Sequence, residues 1–267
     1  PSPHPRLVFM DFLTPLWIDR VPSTNTALLE QLGSGTPLPA GTVLATDEQT
    51  DGRGRGARQW RSEPGRDLAC SFVLHAEVTG QTLCSLSMAV ALGVTDMLHG
   101  LGVTAQTKWP NDVTVGHRKI CGILPELSHG VQPPERPTVV VVGVGLNVGM
   151  SRDEAAMIDQ PATSVHIEAV HDASAGPASA RQLLPVLLAA LSPRLARWSE
   201  GGFQTLRPDW ERRCAGLGEV VTVIDDDGQR HGTLAGFGDA GQLLLRSSGT
   251  TAEIWAGHLR LGDPSAA

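Results

Sequence analysis

The chain has 267 residues, 41% of them hydrophobic and 18% charged, which suits one large globular domain plus a small one. Its 28 acidic against 21 basic residues give a net charge of −7, arguing against a protein dominated by nucleic-acid binding. The apolar runs are short, with none expected to reach a membrane span, and no signal-peptide pattern opens the chain.

The four cysteines, Cys70, Cys84, Cys121 and Cys214, have neither CxxC spacing nor a disulfide framework. They predict reduced thiols and a cytoplasmic protein. The nine histidines are scattered singly and read as surface or packing residues.

Leu7–Leu16 is apolar but broken by Pro15, and a strand is predicted near Trp17–Val21. Ser23-Thr24-Asn25 opens a helix over Thr26–Leu32. Ser23 or Thr24 is the N-cap, and the same polar groups at a helix start also suit a ligand. Gly33–Ala40 is loop, and Thr42–Thr46 is a strand running into Gln49–Trp60.

That next stretch interleaves Gly52, Gly54 and Gly56 with Arg53, Arg55 and Arg58, and Trp60 closes it. Glycine lets a ligand approach the backbone, and arginine offers a forked positive charge to carboxylate or phosphate oxygens. It reads either as an anion clamp or as a solvated basic loop.

Asp67–His75 is a strand, and Gln81–Leu101 is a buried helix with Leu83, Leu86, Val90, Val94, Met97 and Leu101 at helical spacing. Thr104–Lys108 is a strand, and Trp109-Pro110-Asn111-Asp112 a turn. Val113–Val115 and Lys119–Leu127 form a hairpin, and Gly130–Pro137 is a Pro-rich loop. Thr138–Val148 is a β-branched central strand. Ser151–Ile158 and Pro161–Val170 carry no clear signal. Ala173–Ser179 reads as linker, Ala180–Trp198 and Phe203–Arg213 as helices. Short strands follow at Glu219–Ile224, Gly232–Ala235, Gln242–Arg246 and Thr251–Trp255, separated by turns such as Asp225-Asp226-Asp227-Gly228.

Of the 21 basic residues only Lys108 and Lys119 are lysines, leaving 19 arginines, and both fall in one twelve-residue stretch. Lysine kept in so few places suggests sites where a compact ammonium is needed. Four polar clusters sit at predicted strand ends: Ser23–Asn25, Gln49–Trp60, Lys108–Asp112 with Lys119–Gly122, and Gly143–Asn147. Together they offer uncharged hydrogen-bonders, cations and a carboxylate. Bringing a carboxylate up to a nucleoside triphosphate requires such a set, because both reactants are anionic.

These motifs resemble those of the biotin–protein ligases, also called biotin–[acetyl-CoA-carboxylase] ligases. They are Ser23-Thr24-Asn25; Gln49…Gly52-Arg53-Gly54-Arg55…Arg58…Trp60; Lys108-Trp109-Pro110-Asn111-Asp112-Val113; Lys119-Ile120-Cys121-Gly122-Ile123-Leu124…Glu126; and Gly143…Gly145…Asn147-Val148. The resemblance covers about residues 17–170 and continues beyond by position and texture. It implies activation of biotin by ATP to biotinyl-5′-AMP, then transfer to a lysine of a biotin carboxyl carrier protein of acetyl-CoA carboxylase or a related carboxylase.

Carried over, Ser23, Thr24, Asn25, Gln49, Gly52, Arg53, Lys119 and Gly122 would bind biotin. Arg53, Arg55, Arg58, Trp60, Asn111, Lys119 and Asn147 would bind the nucleotide. Lys119, Arg55 and Asp112 would be catalytic, with Asp112 at a Mg²⁺. Lys108 is either structural or a phosphate ligand, and Trp109 a core residue. Asp67 stands where the family commonly has Asn, a carboxylate that could weaken local hydrogen bonding, with its consequence left open.

The expected fold is α/β (α+β). A mixed sheet has helices packed on one face over residues 1–215, and an SH3-like β unit spans 216–267. Only 22 residues precede Ser23, so no DNA-binding domain is expected; nor is membrane association. Monomer and homodimer both fit. The competing readings are a lipoate–protein ligase and a non-catalytic biotin binder. The Gly/Arg loop is expected to be mobile when empty and ordered by biotin or its adenylate.

Overall fold

The computed structural model describes residues 7, 11–56, 58–76, 80–128, 138–169, 178–225 and 227–262. The predicted Pro-rich loop, most of the 173–179 linker and Asp226 lie outside the described residues.

Seven strands form the larger sheet: β1 (Leu16–Val21), β2 (Val43–Gln49), β3 (Leu68–Ala76), β4 (Gln106–Lys108), β5 (Asp112–Val115), β6 (Arg118–Leu127) and β7 (Thr138–Leu146). Their spatial order is β1-β2-β3-β7-β6-β5-β4. Only β1 and β2 pair in parallel; every other neighbouring pair is antiparallel. The sheet is therefore mixed, as expected. The valine run of β7 lies at its centre, where β-branched side chains pack on both faces.

Alternation along the strands sorts the residues into two faces. One buries Val43, Ala45, Cys70, Phe72, Leu74, Val140, Val142 and Val144 against two long helices, α2 (Gly80–Gly100) and α5 (Ala180–Gly201). Gly93 lets these helices approach closely, since a Cβ there would lie 2.7 Å from Leu191 Cδ2. Helix α5 runs through Pro185 and Pro193, its buried leucine stripe outweighing the two lost backbone donors. The other face buries Leu44, Val73, Val139 and Val141 under helix α1 (Thr24–Gly33). Helices stack on one face as predicted for α2 and α5, but α1 covers part of the opposite one.

Residues 82–100 of α2 are long and apolar enough to cross a membrane by length and composition, with mean hydropathy 1.3. This corrects the expectation that no run reaches such a length. Most of that stretch is buried inside the protein.

Two short helices, α3 (Arg152–Ala156) and α4 (Val165–Glu168), occupy the segment that carried no clear signal. The helix predicted over Phe203–Arg213 is a 3₁₀ turn at Gly202–Thr205 followed by α6 (Arg207–Arg213), with Pro208 near the start of the second piece.

The C-terminal strands are β8 (Val220–Asp225), β9 (Gly228–Phe237), β10 (Leu243–Ser247), β11 (Thr250–Ile254) and β12 (His258–Leu261). They form an antiparallel sheet in the order β11-β10-β9-β8-β12. One apolar core runs through both sheets. Phe203, Trp210 and Phe237 meet edge to face, and the buried Trp109 donates its Nε1 hydrogen to Gly241 O at 3.2 Å. Trp109 is thus the core residue that the sequence predicted.

Candidate active site

The site lies on the α1 side of the sheet. Strand register aligns Ala69, Gly145 and Gly122 in one cross-strand row and Ser71, Gly143 and Leu124 in the next. This lowers the floor, and larger groups descend onto it. A Cβ on Gly143 would lie 2.5 Å from Asn25 Oδ1, and one on Gly145 would collide with the Trp60 indole. On Gly122 it would come within 3.0 Å of the same ring and 3.1 Å of Lys119 Nζ.

The start of α1 is one polar corner. Ser23 is its N-cap, accepting from Thr26 N–H. Gln49 Oε1 accepts from Thr24 N–H at 2.9 Å and lies 3.3 Å from the Thr24 hydroxyl. The Ser71 hydroxyl lies 2.6 Å from both Thr24 Oγ1 and Asn25 Oδ1. Asn25 Nδ2 donates to Leu124 O at 3.0 Å and to Glu126 Oε2 at 2.7 Å. Asn25, expected as a biotin ligand, braces the corner through these bonds. Sequence reasoning missed Ser71, which only strand register reveals.

The Gly/Arg stretch folds into a small hairpin. Trp60 N–H donates to Gly52 O at 2.9 Å and Gly54 N–H to Arg58 O at 2.8 Å, and Gly56 turns with φ +63°. Arg53 pairs with Glu126 across the floor. Arg55, largely desolvated, donates to Asn111 Oδ1 and Gly257 O, each at 3.2 Å. A cavity of about 470 Å³ lies between this hairpin and Leu124 and Glu126 of β6. That is the scale of a small-molecule site. The Trp60 indole N–H is buried and has no partner among the described residues.

Lys119 and Asp112 form the charged centre, with Lys119 Nζ 2.7 Å from Asp112 Oδ1 and 5.6 Å from the Trp60 ring centroid. Lys108, half-buried, feels Asp112, Lys119, Arg58 and Arg260, and burial lowers its pKa. Lys119, Arg55 and Lys108 thus converge on one carboxylate, and Arg58 and Arg260 act on Lys108 beside it. Such a cluster favours polyanions. Arg260, Gly257 and His258 were missed in sequence because β12, a four-residue strand, gave no signal.

Asn147, expected at the nucleotide, gives its side-chain hydrogens to Thr163 O at 2.9 Å and Lys119 O at 3.4 Å, bracing the backbone that carries Lys119. Asp67 strengthens local bonding: Oδ1 accepts from Val148 N at 2.8 Å and Gly149 N at 3.2 Å, and Oδ2 from Glu63 N at 3.1 Å. It ties the segment after the hairpin to the end of β7.

A small-residue floor between an uncharged polar corner and a cationic cluster is suited to activating a carboxylate with a nucleotide, the work of a carboxylate-activating ligase. The model of the biotin/lipoate A/B protein ligase family matches residues 17–147. The chain is 34% identical over 247 residues to the biotin–[acetyl-CoA-carboxylase] ligase of Mycobacterium tuberculosis, covering 89% of this chain and 86% of that protein. It is 31% identical over 234 residues to the Paracoccus denitrificans enzyme of the same name, covering 85% and 92%. A solved biotin protein ligase from Aquifex aeolicus, in complex with biotin and ATP, matches with TM-score 0.76 at 28% identity over 93% of this chain and 98% of that one. The chain belongs to the biotin/lipoate A/B protein ligase family.

Proposed function

We propose that this chain is an ATP-dependent biotin–protein ligase. The biotin carboxylate attacks the α-phosphate of ATP, forming biotinyl-5′-AMP and releasing pyrophosphate. A lysine of a biotin carboxyl carrier protein or domain then attacks the activated carbonyl as a neutral amine, losing its proton as AMP leaves. The observation that carries the reading is the convergence of Lys119, Arg55 and Lys108 on Asp112, with Lys119 facing the glycine floor. The relatives named as biotin ligases support biotin over lipoate.

The α1 corner and Gln49 receive the uncharged ring end of biotin. Lys119 lies between the biotin carboxylate and the α-phosphate, where negative charge grows during attack. Arg55, Arg58, Lys108 and Arg260 hold the remaining phosphate oxygens. The hairpin and Trp60 cover the reactants and exclude water. Asp112 keeps Lys119 aimed, and it is the carboxylate that would hold Mg²⁺ on the triphosphate, since that ion is bound through one or two carboxylates plus phosphates.

Residues 1–215 act as the activating unit and 216–267 as its partner unit, in a cytoplasmic monomer or homodimer. The net charge of −7 supports a reading without DNA or membrane partners.

Biotin-dependent exchange of labelled pyrophosphate into ATP tests the first step. Exchange supported by lipoate instead would replace the substrate, and exchange with neither acid would leave a binding protein. Biotin transfer to a purified carrier domain tests the second.

A further inference from the structure

Two contacts join the Gly/Arg hairpin to the C-terminal unit, and both end on adjacent residues at the start of β12. Arg55 Nη1 donates to the Gly257 carbonyl at 3.2 Å. Arg58 Nη1 lies 3.3 Å from His258 Nδ1. A guanidinium has donors only, so the imidazole must accept. That requires a neutral His258 ring with its hydrogen on Nε2.

The surroundings favour this form. Arg58 from the hairpin, Lys108 from β4 and Arg260 from β12 itself face the ring, against the single carboxylate of Asp112. Burial first, then these cations, push His258 down to about 4, so the acceptor persists at neutral and mildly acidic pH. Gly257 serves the adjacent contact. Its φ is +149°, and a Cβ there would lie 2.9 Å from Val223 Cγ1 and 3.0 Å from Ile224 O. A side chain at 257 would push β12 away from β8 and shift the carbonyl that receives Arg55.

The hairpin is therefore tied on two sides, by Glu126 and Asn111 of the larger sheet's side and by Gly257 and His258 of the smaller one. Resting on the ligase reading above, we propose that the start of β12 is a latch on the Gly/Arg hairpin. The Gly257 carbonyl and the His258 imidazole hold Arg55 and Arg58, keeping the adenylate enclosed until an acceptor lysine arrives. His258 is a positioning residue, acting on the reactants through Arg58.

The test measures release of biotinyl-5′-AMP from enzyme loaded with biotin and ATP and then diluted into excess unlabelled adenylate. His258→Lys, which places a cation against Arg58, and His258→Ala should each release it about tenfold faster, the scale of one charge-assisted hydrogen bond. His258→Asn, which offers an amide oxygen, should recover most of the retention. The double variant Arg58→Ala with His258→Ala should release no faster than Arg58→Ala alone. Wild-type release rates in both His258→Lys and His258→Ala, or fully additive effects in the double variant, would overturn the latch. Failure of the wild-type chain to form any adenylate would overturn the ligase reading instead.

Discussion

Lys119 Nζ sits 2.7 Å from Asp112 Oδ1, although the two residues are not register partners. Asp112 pairs with Gly122 and Lys119 with Thr114, and a register shift between Val113 and Thr114 separates the two pairs. The lysine therefore reaches along its own strand, over Gly122, to the carboxylate. Gly122 leaves this path open, and the long, flexible lysine stem can follow it where a planar guanidinium is bulkier.

Removal of this ammonium should separate chemistry from folding. Lys119→Ala is expected to slow adenylate formation in a single turnover by about 10²–10³-fold, the range for loss of one preplaced electrostatic donor. The side chain is partly exposed and caps no core group, so the circular dichroism spectrum should be unchanged. Single-turnover formation within a factor of a few of wild type would remove Lys119 from its assigned role.

Gly145→Ala tests the floor. The added methyl collides with the Trp60 indole, so the ring must lift and the hairpin behind it loosen. Limited proteolysis should then cut within residues 51–65 at least several-fold faster, while adenylate formation falls by about tenfold or more. Proteolysis at the wild-type rate would mean that Trp60 is not what seats the hairpin.

Much of this architecture is legible in the sequence, because β7 carries an unbroken β-branched run and α2 carries apolar residues at helical spacing. The motif residues also converge as read, with Ser23, Thr24 and Gln49 in one corner and Lys119 and Asp112 at the other end. What sequence order hides is pairing across strands. Ser71 looks like an interior strand serine until register sets it beside Gly143 and under Asn25. Asn147 donates to Thr163, which comes from a segment with weak local signal, so sequence order hides that contact. His258 sits in a strand of four residues, too short to show a period, and its partner is 200 positions away.

Asp67 gives a stability prediction that the sequence alone leaves open. Its carboxylate is 3% exposed and accepts from three backbone N–H groups. Asp67→Ala leaves the buried Val148 donor and two half-buried ones without it and should cost about 2 kcal/mol in urea denaturation. Asp67→Asn retains one oxygen acceptor and should lose about half as much. A substitution to alanine that leaves the urea midpoint unmoved would show that these donors find other partners.

His258 also predicts a pH dependence of folding. Its folded value is pushed to about 4, against 6.5 for an unperturbed imidazole, so between those values the unfolded chain binds more protons than the folded one. Stability from this group is therefore complete above about pH 6.5 and is lost as pH falls toward 4. Asp209 acts lower on the scale. Burial raises its carboxyl, but Arg194 and Arg197 outweigh that and hold it at about 2, so its contribution is lost only as pH falls below the ordinary carboxylate range. The two are separable by measuring urea midpoints at pH 7.5 and pH 5. The wild-type midpoint should drop more over this interval than that of His258→Gln, which cannot take up the proton. Equal drops in the two proteins would mean that His258 titrates alike in both states, and that the cations around it do not keep it neutral.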